Sequence, residues 1–222
     1  MNTSKSKFGY FTAILLLSAA MHNASAATLI DNFTDFQVAE NGTDGPLPIF
    51  GTDLVNAYRT LTAEANPTDA DTEVAVESGM LTISNSTDSN GTASILYSFD
   101  PINLMSVADA LLLNIGFIDL SFEIQVIANG LSVFDFHNFG GTGQHAIAFS
   151  DFTNPSSFGN LSSLQLNFRG VEAWDAQIDL MAANRTGTQT NTVPEPTTWA
   201  LLIIGMFYLR QMSVKPALSK LS

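Results

Sequence analysis

The chain has 222 residues, with 21 Asp and Glu against 8 Lys and Arg, a net charge of −13 and no cysteine. A phosphate-binding surface needs clustered Lys and Arg, so nucleic acid is not expected as a partner and anionic lipid is a poor one. Without a thiol there is no disulfide, thiolate nucleophile or cysteine metal site, and the 16 Phe must supply much of the core.

In chain order, the first element is a leader. Lys5 and Lys7 precede an apolar stretch over residues 8–20, and Ala24-Ser25-Ala26 offers the small residues that a signal peptidase reads. This predicts a secretory signal peptide over residues 1–26, and His22 leaves with it. Residues 27–184 then have the length of one domain, followed by a Thr/Asn/Gly-rich linker over residues 185–193. Between leader and tail the bases are Arg59, Arg169 and Arg185, against twenty acids, a net of −17. Such an excess of carboxylates repels itself unless cations offset it, and outside a cell calcium is the natural one.

Short β-type segments recur between Gly, Asn, Asp and Pro punctuation. Strands are predicted over residues 28–33, 57–62, 72–77, 81–84, 93–99, 111–117, 121–128, 131–136, 145–149, 163–168 and 176–181. Two alternate cleanly: Phe122, Ile124 and Val126 against Glu123 and Gln125, and Leu164, Leu166 and Phe168 against Gln165 and Asn167. Asn129-Gly130 is a hairpin signal because both central positions need φ > 0, and Ser78-Gly79 is a second. Residues 103–110 have room for one short helical turn, and the stretch from Phe139 to Gly143 reads as a long hairpin loop. The fold class expected is all-β, a jelly-roll-like two-sheet β-sandwich, flanked by a signal helix and a short C-terminal hydrophobic helix.

The tail carries the most specific pattern. Pro194 and Pro196 bracket Glu195, which keeps this tripeptide out of a helix. The uncharged run over residues 199–209 ends at Arg210. Eleven helical residues rise about 16 Å, short of the roughly 30 Å hydrocarbon core. This arrangement resembles the PEP-CTERM sorting signal of Gram-negative bacteria, carried here by Pro194, Glu195, Pro196, the apolar run and Arg210 over residues 194–222. The resemblance implies reading by an exosortase and an intermediate tethered to the inner membrane through the C-terminal helix. It further implies delivery to the cell surface or extracellular matrix in company with exopolysaccharide and biofilm.

The middle of the chain resembles the jelly-roll sandwiches of carbohydrate-binding modules and galactose-binding-like domains. Residues 29–33, the turn at Ser150-Asp151-Phe152, the strand at residues 161–166 and Ile178-Asp179-Leu180 carry that resemblance. It implies that the last strand pairs near the first, where acidic side chains hold a structural calcium. The candidate ligands here are Asp31, Asp35, Asp175 and Asp179, whose even 175–179 spacing places the last two on one strand face. For glycan contact the candidates are Trp174, Tyr58 and Arg59, an aromatic or guanidinium surface for a sugar ring. Trp174 reads equally as a core plug or strand-end seal, and Arg59, in an apolar strand, as the partner of a carboxylate.

Catalytic equipment is sparse. Only His137 and His145 remain after processing, no HExxH or G-x-S-x-G pattern occurs, and no carboxylate pair is singled out. The acids Asp69, Asp71, Glu73 and Glu77 lack the spacing of a calcium loop and read as a charged loop entering a strand's wet face. The expected function is therefore a non-catalytic structural or adhesive matrix component. The alternative is a carbohydrate-binding module protein, and the third reading is a glycan-active hydrolase.

Overall fold

The structure, a computed structural model, describes residues 27–186. The expected signal peptide and the PEP-CTERM tail with its helix lie outside the described residues. Among the described residues no helix is long and apolar enough to cross a membrane.

Among the described residues thirteen strands form two antiparallel sheets. They are β1 (Thr28–Asp31), β2 (Gln37–Glu40), β3 (Thr43–Pro48), β4 (Tyr58–Glu64), β5 (Thr72–Glu77), β6 (Met80–Asn85) and β7 (Thr92–Ile102). Then follow β8 (Ala110–Ile118), β9 (Phe122–Ala128), β10 (Ser132–His137), β11 (Gly143–Ala148), β12 (Leu161–Gly170) and β13 (Ala176–Asn184). One sheet runs β11-β8-β13-β6-β5-β2, and β1 also pairs with β13, through Thr28–Ala183 and Asp31–Met181. The other runs β10-β9-β12-β7-β4-β3. The chain switches sheet again and again along its length, as a jelly-roll-like sandwich requires.

All eleven expected strands are present. The two extra ones are edge or near-edge pieces with weak local signals. In β3, Pro46 and Pro48 read as breakers, yet proline is compatible with an edge strand whose outer amides need no partner. In β2, four residues are too few to show alternation. The short turn expected over residues 103–110 is a single 3-10 turn at Leu104–Ser106. A second 3-10 turn, Phe149–Asp151, overlaps the turn expected at Ser150-Asp151-Phe152, and a third, Pro155–Asn160, was not anticipated. Asn129 and Gly130 have φ of 51° and 68°, the left-handed pair that closes the β9–β10 hairpin. The glycine-rich stretch after Phe139 is not a hairpin: β10 pairs with β9 and β11 with β8, so it carries the chain from one sheet to the other.

The core lies between the sheets, built from the inward rows of each alternating strand. Leu61, Ile95, Ile124, Val126, Leu164, Leu166 and Phe168 face Val74, Val76, Leu81, Ile83, Leu113, Ile115 and Ile178. At one end Phe149 and Phe158 stack with ring centroids 3.9 Å apart, and Phe152 meets Phe158 edge-on.

Candidate functional site

The inward rows of the second sheet leave an outward face that reads as a grid. In the registers of β4–β7, β7–β12 and β12–β9, one row is Tyr58, Ser98 and Ser163, and the next is Thr60, Leu96, Gln165 and Ile127. A third row is Thr43 on β3, Thr62, Ser94, Asn167 and Gln125, every member a hydroxyl or an amide. Two pairs of neighbours in it are bonded: Thr43 Oγ1 to Thr62 Oγ1 at 3.0 Å, and Asn167 Nδ2 donating to Gln125 Oε1 at 2.9 Å. Gln165 Nε2 donates to Asn167 Oδ1 at 2.7 Å, and Gln125 Nε2 reaches Asp135 on β10 at 3.4 Å. The bonds thus form two pieces, one across β3 and β4 and one across β12, β9 and β10, with Ser94 of β7 between them. The face spans six strands, a width of about 24 Å at 4.8 Å per spacing.

Short side chains in the middle and tall ones beside them make the face concave. Thr62, Thr92 and Ser94 form a floor, with Gln165, Asn167, Arg169 and Phe136 beside it, around a cavity of about 430 Å³. A second hollow of about 500 Å³ adjoins it over Asn41, Gly42, Thr43 and Thr68, and Thr62 and Glu64 line both. Phe136 reaches this side because a bulge in β10 breaks the register between Phe134 and His137. Phe134 therefore packs inward near Phe152, while the Phe136 ring lies under the Arg169 guanidinium, 3.7 Å from its centroid. Arg169 is held in turn by Glu123, with Nε and Nη2 each 2.7 Å from Oε2. An aromatic, a fixed guanidinium and a ladder of side-chain amides thus share one trough. Planar amides present a donor and an acceptor side by side, which suits ligands rich in neighbouring hydroxyls.

Tyr58, an expected contact, does stand on this face, 43% exposed at the start of β4. The other two expected contacts do not. Trp174 is fully buried, stacked on Phe122 at 5.7 Å, and its indole N–H donates to Gly91 O at 3.0 Å. The backbone around it is tied down by Asn85, whose Nδ2 donates to Trp174 O and whose Oδ1 accepts from Thr72. Trp174 is a core plug, since a flat apolar ring with one polar corner fits a site offering a single carbonyl.

Arg59 is also interior, 1% exposed, at the centre of a polar cluster that joins the two sheets. Its Nη1 donates to Asp31 Oδ2 at 2.7 Å and its Nε to Gln37 Oε1 at 2.8 Å, while Nη2 donates to Asp35 O. Asp31 also accepts from Tyr97 Oη at 3.0 Å and from the Phe33 amide at 2.8 Å. Burial, and then the Asp31 carboxylate, push the Tyr97 phenol well above its ordinary range. A charge in an apolar strand is thereby neutralised rather than presented to a ligand.

The four aspartates expected to hold calcium are not gathered. The terminal strands do pair, but that pairing turns Asp31 into the interior, where Arg59, Tyr97 and Phe33 take up its oxygens. Asp35 accepts from the Phe50 and Gly51 amides, and Asp175 accepts from the Asn85 amide. Asp179 lies beside Asn114 on β8. Asp175 lies just before β13, which begins at Ala176, and Asp179 is the extra residue where the β13–β8 register shifts between Ile178 and Leu180. Among the described residues no three His, Asp or Glu side chains sit close enough together for a metal ion. His137 and His145 flank Phe139, with ring centroids 5.0 and 5.1 Å away, and His145 Nε2 lies 2.9 Å from Gly141 O.

The grid was missed at the sequence level, although half its signal was visible. Gln165, Asn167, Glu123 and Gln125 alternate with apolar neighbours, which marks a wet face. That β9 and β12 lie side by side, with Asn167 opposite Gln125, is a matter of long-range pairing.

No protein-family model matches this chain, and no curated protein matches it. Among solved structures, it is similar to a family 11 carbohydrate-binding module from Clostridium thermocellum in complex with a β-1,3-1,4-mixed-linked tetrasaccharide. The identity is 12% over 73% of this chain and 97% of that one, with a TM-score of 0.40. The family 11 module of cellulosomal cellulase Lic26A-Cel5E of the same organism gives 12% identity over 72% and 95%, with a TM-score of 0.40. A structure named PfGH50B matches over 55% of this chain and 22% of its own, at 11% identity and a TM-score of 0.39. At these identities no residue of those proteins can be carried across.

Proposed function

We propose that this chain is an exported polysaccharide-binding protein whose second sheet holds the glycan on its outward face. Sorted by its Pro194-Glu195-Pro196 tail, it serves as an adhesive component of an extracellular matrix. The observation that carries the binding reading is the row of hydroxyl and amide side chains from Thr43 to Gln125, flanked by Phe136 and by Tyr58. The amides already bond one another, so their orientations are set before a ligand arrives and little rotamer entropy is lost on binding. A wide, open trough suits a chain laid across strands rather than a small molecule enclosed in a pocket.

Hydrolysis is less well supported. A glycosidase needs two carboxyls about 5–10 Å apart. On this face Glu64 and Glu123 sit three strand spacings apart, about 14 Å along the sheet, while Glu123 is taken by Arg169 and Asp135 by Gln125 and the Phe136 amide.

The test is a polysaccharide pull-down and glycan array with the full-length chain in mild detergent, followed by titration of whatever binds. Saturable binding is expected, weakened at least tenfold, about 1.4 kcal/mol, by Phe136→Ala and by Asn167→Ala. Trp174→Phe should leave affinity unchanged in whatever fraction stays folded. Absence of saturable binding to any glycan, or binding indifferent to Phe136 and Asn167, would refute the proposal.

A further inference from the structure

Resting on the glycan reading, the charge of the trough narrows the class of glycan. Among the described residues one cation stands on this face, Arg169, whose Nε and Nη2 both bond Glu123 and whose guanidinium covers Phe136. The Glu123 carboxylate offsets its charge, so the pair presents no net positive charge to a uronate or sulfate. Against it stand three carboxylates, Glu64, Glu123 and Asp135.

Glu64 differs from the other two. It ends β4 on the outward face, opposite Thr92, and lines both adjoining hollows. Glu123 has Arg169, and Asp135 accepts from Gln125 Nε2 and from the Phe136 amide. The Glu64 carboxylate is offered no hydrogen bond or ion pair by any described residue. A free anion therefore stands where the two hollows meet, within a field already set by seventeen net negative charges between leader and tail. Such a field repels anionic polymers and draws in cationic ones.

We infer that the ligand is a polysaccharide bearing free amino groups, with the Glu64 carboxylate as the contact for an ammonium beside the amide row. The amides and Phe136 would take the hydroxyls and ring faces, and Glu64 would discriminate an amine from its acetylated form.

The test uses the full-length chain in a non-ionic detergent and three short oligosaccharide probes. These are β-1,4-linked glucosamine hexamers, the same hexamers fully N-acetylated, and oligogalacturonate. The amine form should bind about tenfold more tightly than its acetylated twin at low salt, with the gap shrinking as salt screens it. Oligogalacturonate should not bind. Glu64→Gln should remove most of the gap. Glu77→Gln, an equal loss of charge on an exposed residue of the other sheet, should leave it.

Equal or tighter binding of the acetylated form, with Glu64→Gln silent, would overturn the inference. If that binding still depends on Phe136, the polysaccharide-binding proposal would stand on its own. Binding of oligolysine as tight as that of the amine hexamer, untouched by Phe136→Ala, would show general polycation adsorption and also overturn the inference. No binding of any glycan probe would count against the broader proposal as well.

Discussion

Arg59 is the residue on which the interior depends most. It is a full charge with 1% exposure, and it survives burial because three acceptors from different elements converge on it. Arg59→Met would leave Asp31 buried without its counter-charge, a loss of about 3–5 kcal/mol. Chemical denaturation measures this, and Asp31→Asn in the Arg59→Met background should recover part of the loss by removing the orphaned charge.

Tyr97 adds a pH dependence of definite sign. Its folded pKa is raised, so above about pH 10 the unfolded chain loses this proton while the folded one keeps it. Stability from this group is therefore intact below that pH and falls as pH rises through the alkaline range. Tyr97→Phe should flatten the alkaline fall in denaturation midpoint. At neutral pH it should cost about 1 kcal/mol for the lost hydrogen bond to Asp31.

Among the elements, β12 is the one that joins core and site. It sits between β9 and β7, sends Leu164, Leu166 and Phe168 inward, and sends Gln165, Asn167 and Arg169 out to the trough. Its last residue, Gly170, is pressed against Trp174, so that a Cβ there would run into the indole ring. Gly170→Ala is expected to cost about 1–3 kcal/mol through overpacking. Because the strand end would shift, glycan affinity should fall along with stability. A thermal melt and a binding titration on the same variant check both, and an unchanged melt would refute the close packing.

β10 shows the same coupling on the other side. Its bulge turns one strand into a wall of the core and a wall of the trough at once, with Phe134 inward and Phe136 outward. Regular alternation over residues 131–136 puts both on the same face, which is why Phe136 could not be picked from the sequence.

For the whole molecule, the proposal joins two ends of different character: a sandwich that binds and a tail that addresses. Deleting residues 194–222 should leave the sandwich folded and its glycan binding intact, while releasing the protein from its membrane-tethered route. Fractionation of membrane, surface and medium measures this, and an unchanged distribution would sink the sorting proposal. The sandwich needs no help from disulfides, because two sheets with continuous apolar inner rows enclose a single core.

Local chemistry was enough for the strand content and the all-β class. Period-two alternation and glycine-bearing turns are properties of neighbouring residues, so β5 over Thr72–Glu77 and the turn at Asn129-Gly130 could be read directly. The same locality left β3 unseen, since its prolines are permitted only by its place at a sheet edge. It also left Trp174 and Arg59 open between ligand contact and interior role, because whether an aromatic or a guanidinium faces solvent depends on what the opposite sheet brings to it. Asp31 and Gln37 reach Arg59 from the other sheet, and Gly91 reaches Trp174 from 83 residues away in the chain. By itself, then, the sequence determined the acidic charge, the absence of thiols, the alternating strands and the address-like tail. Only the tertiary structure decided which polar side chains became neighbours. The amide row exists because strands distant in the chain hydrogen-bond in one register, and register is a property of the pairing rather than of either strand alone.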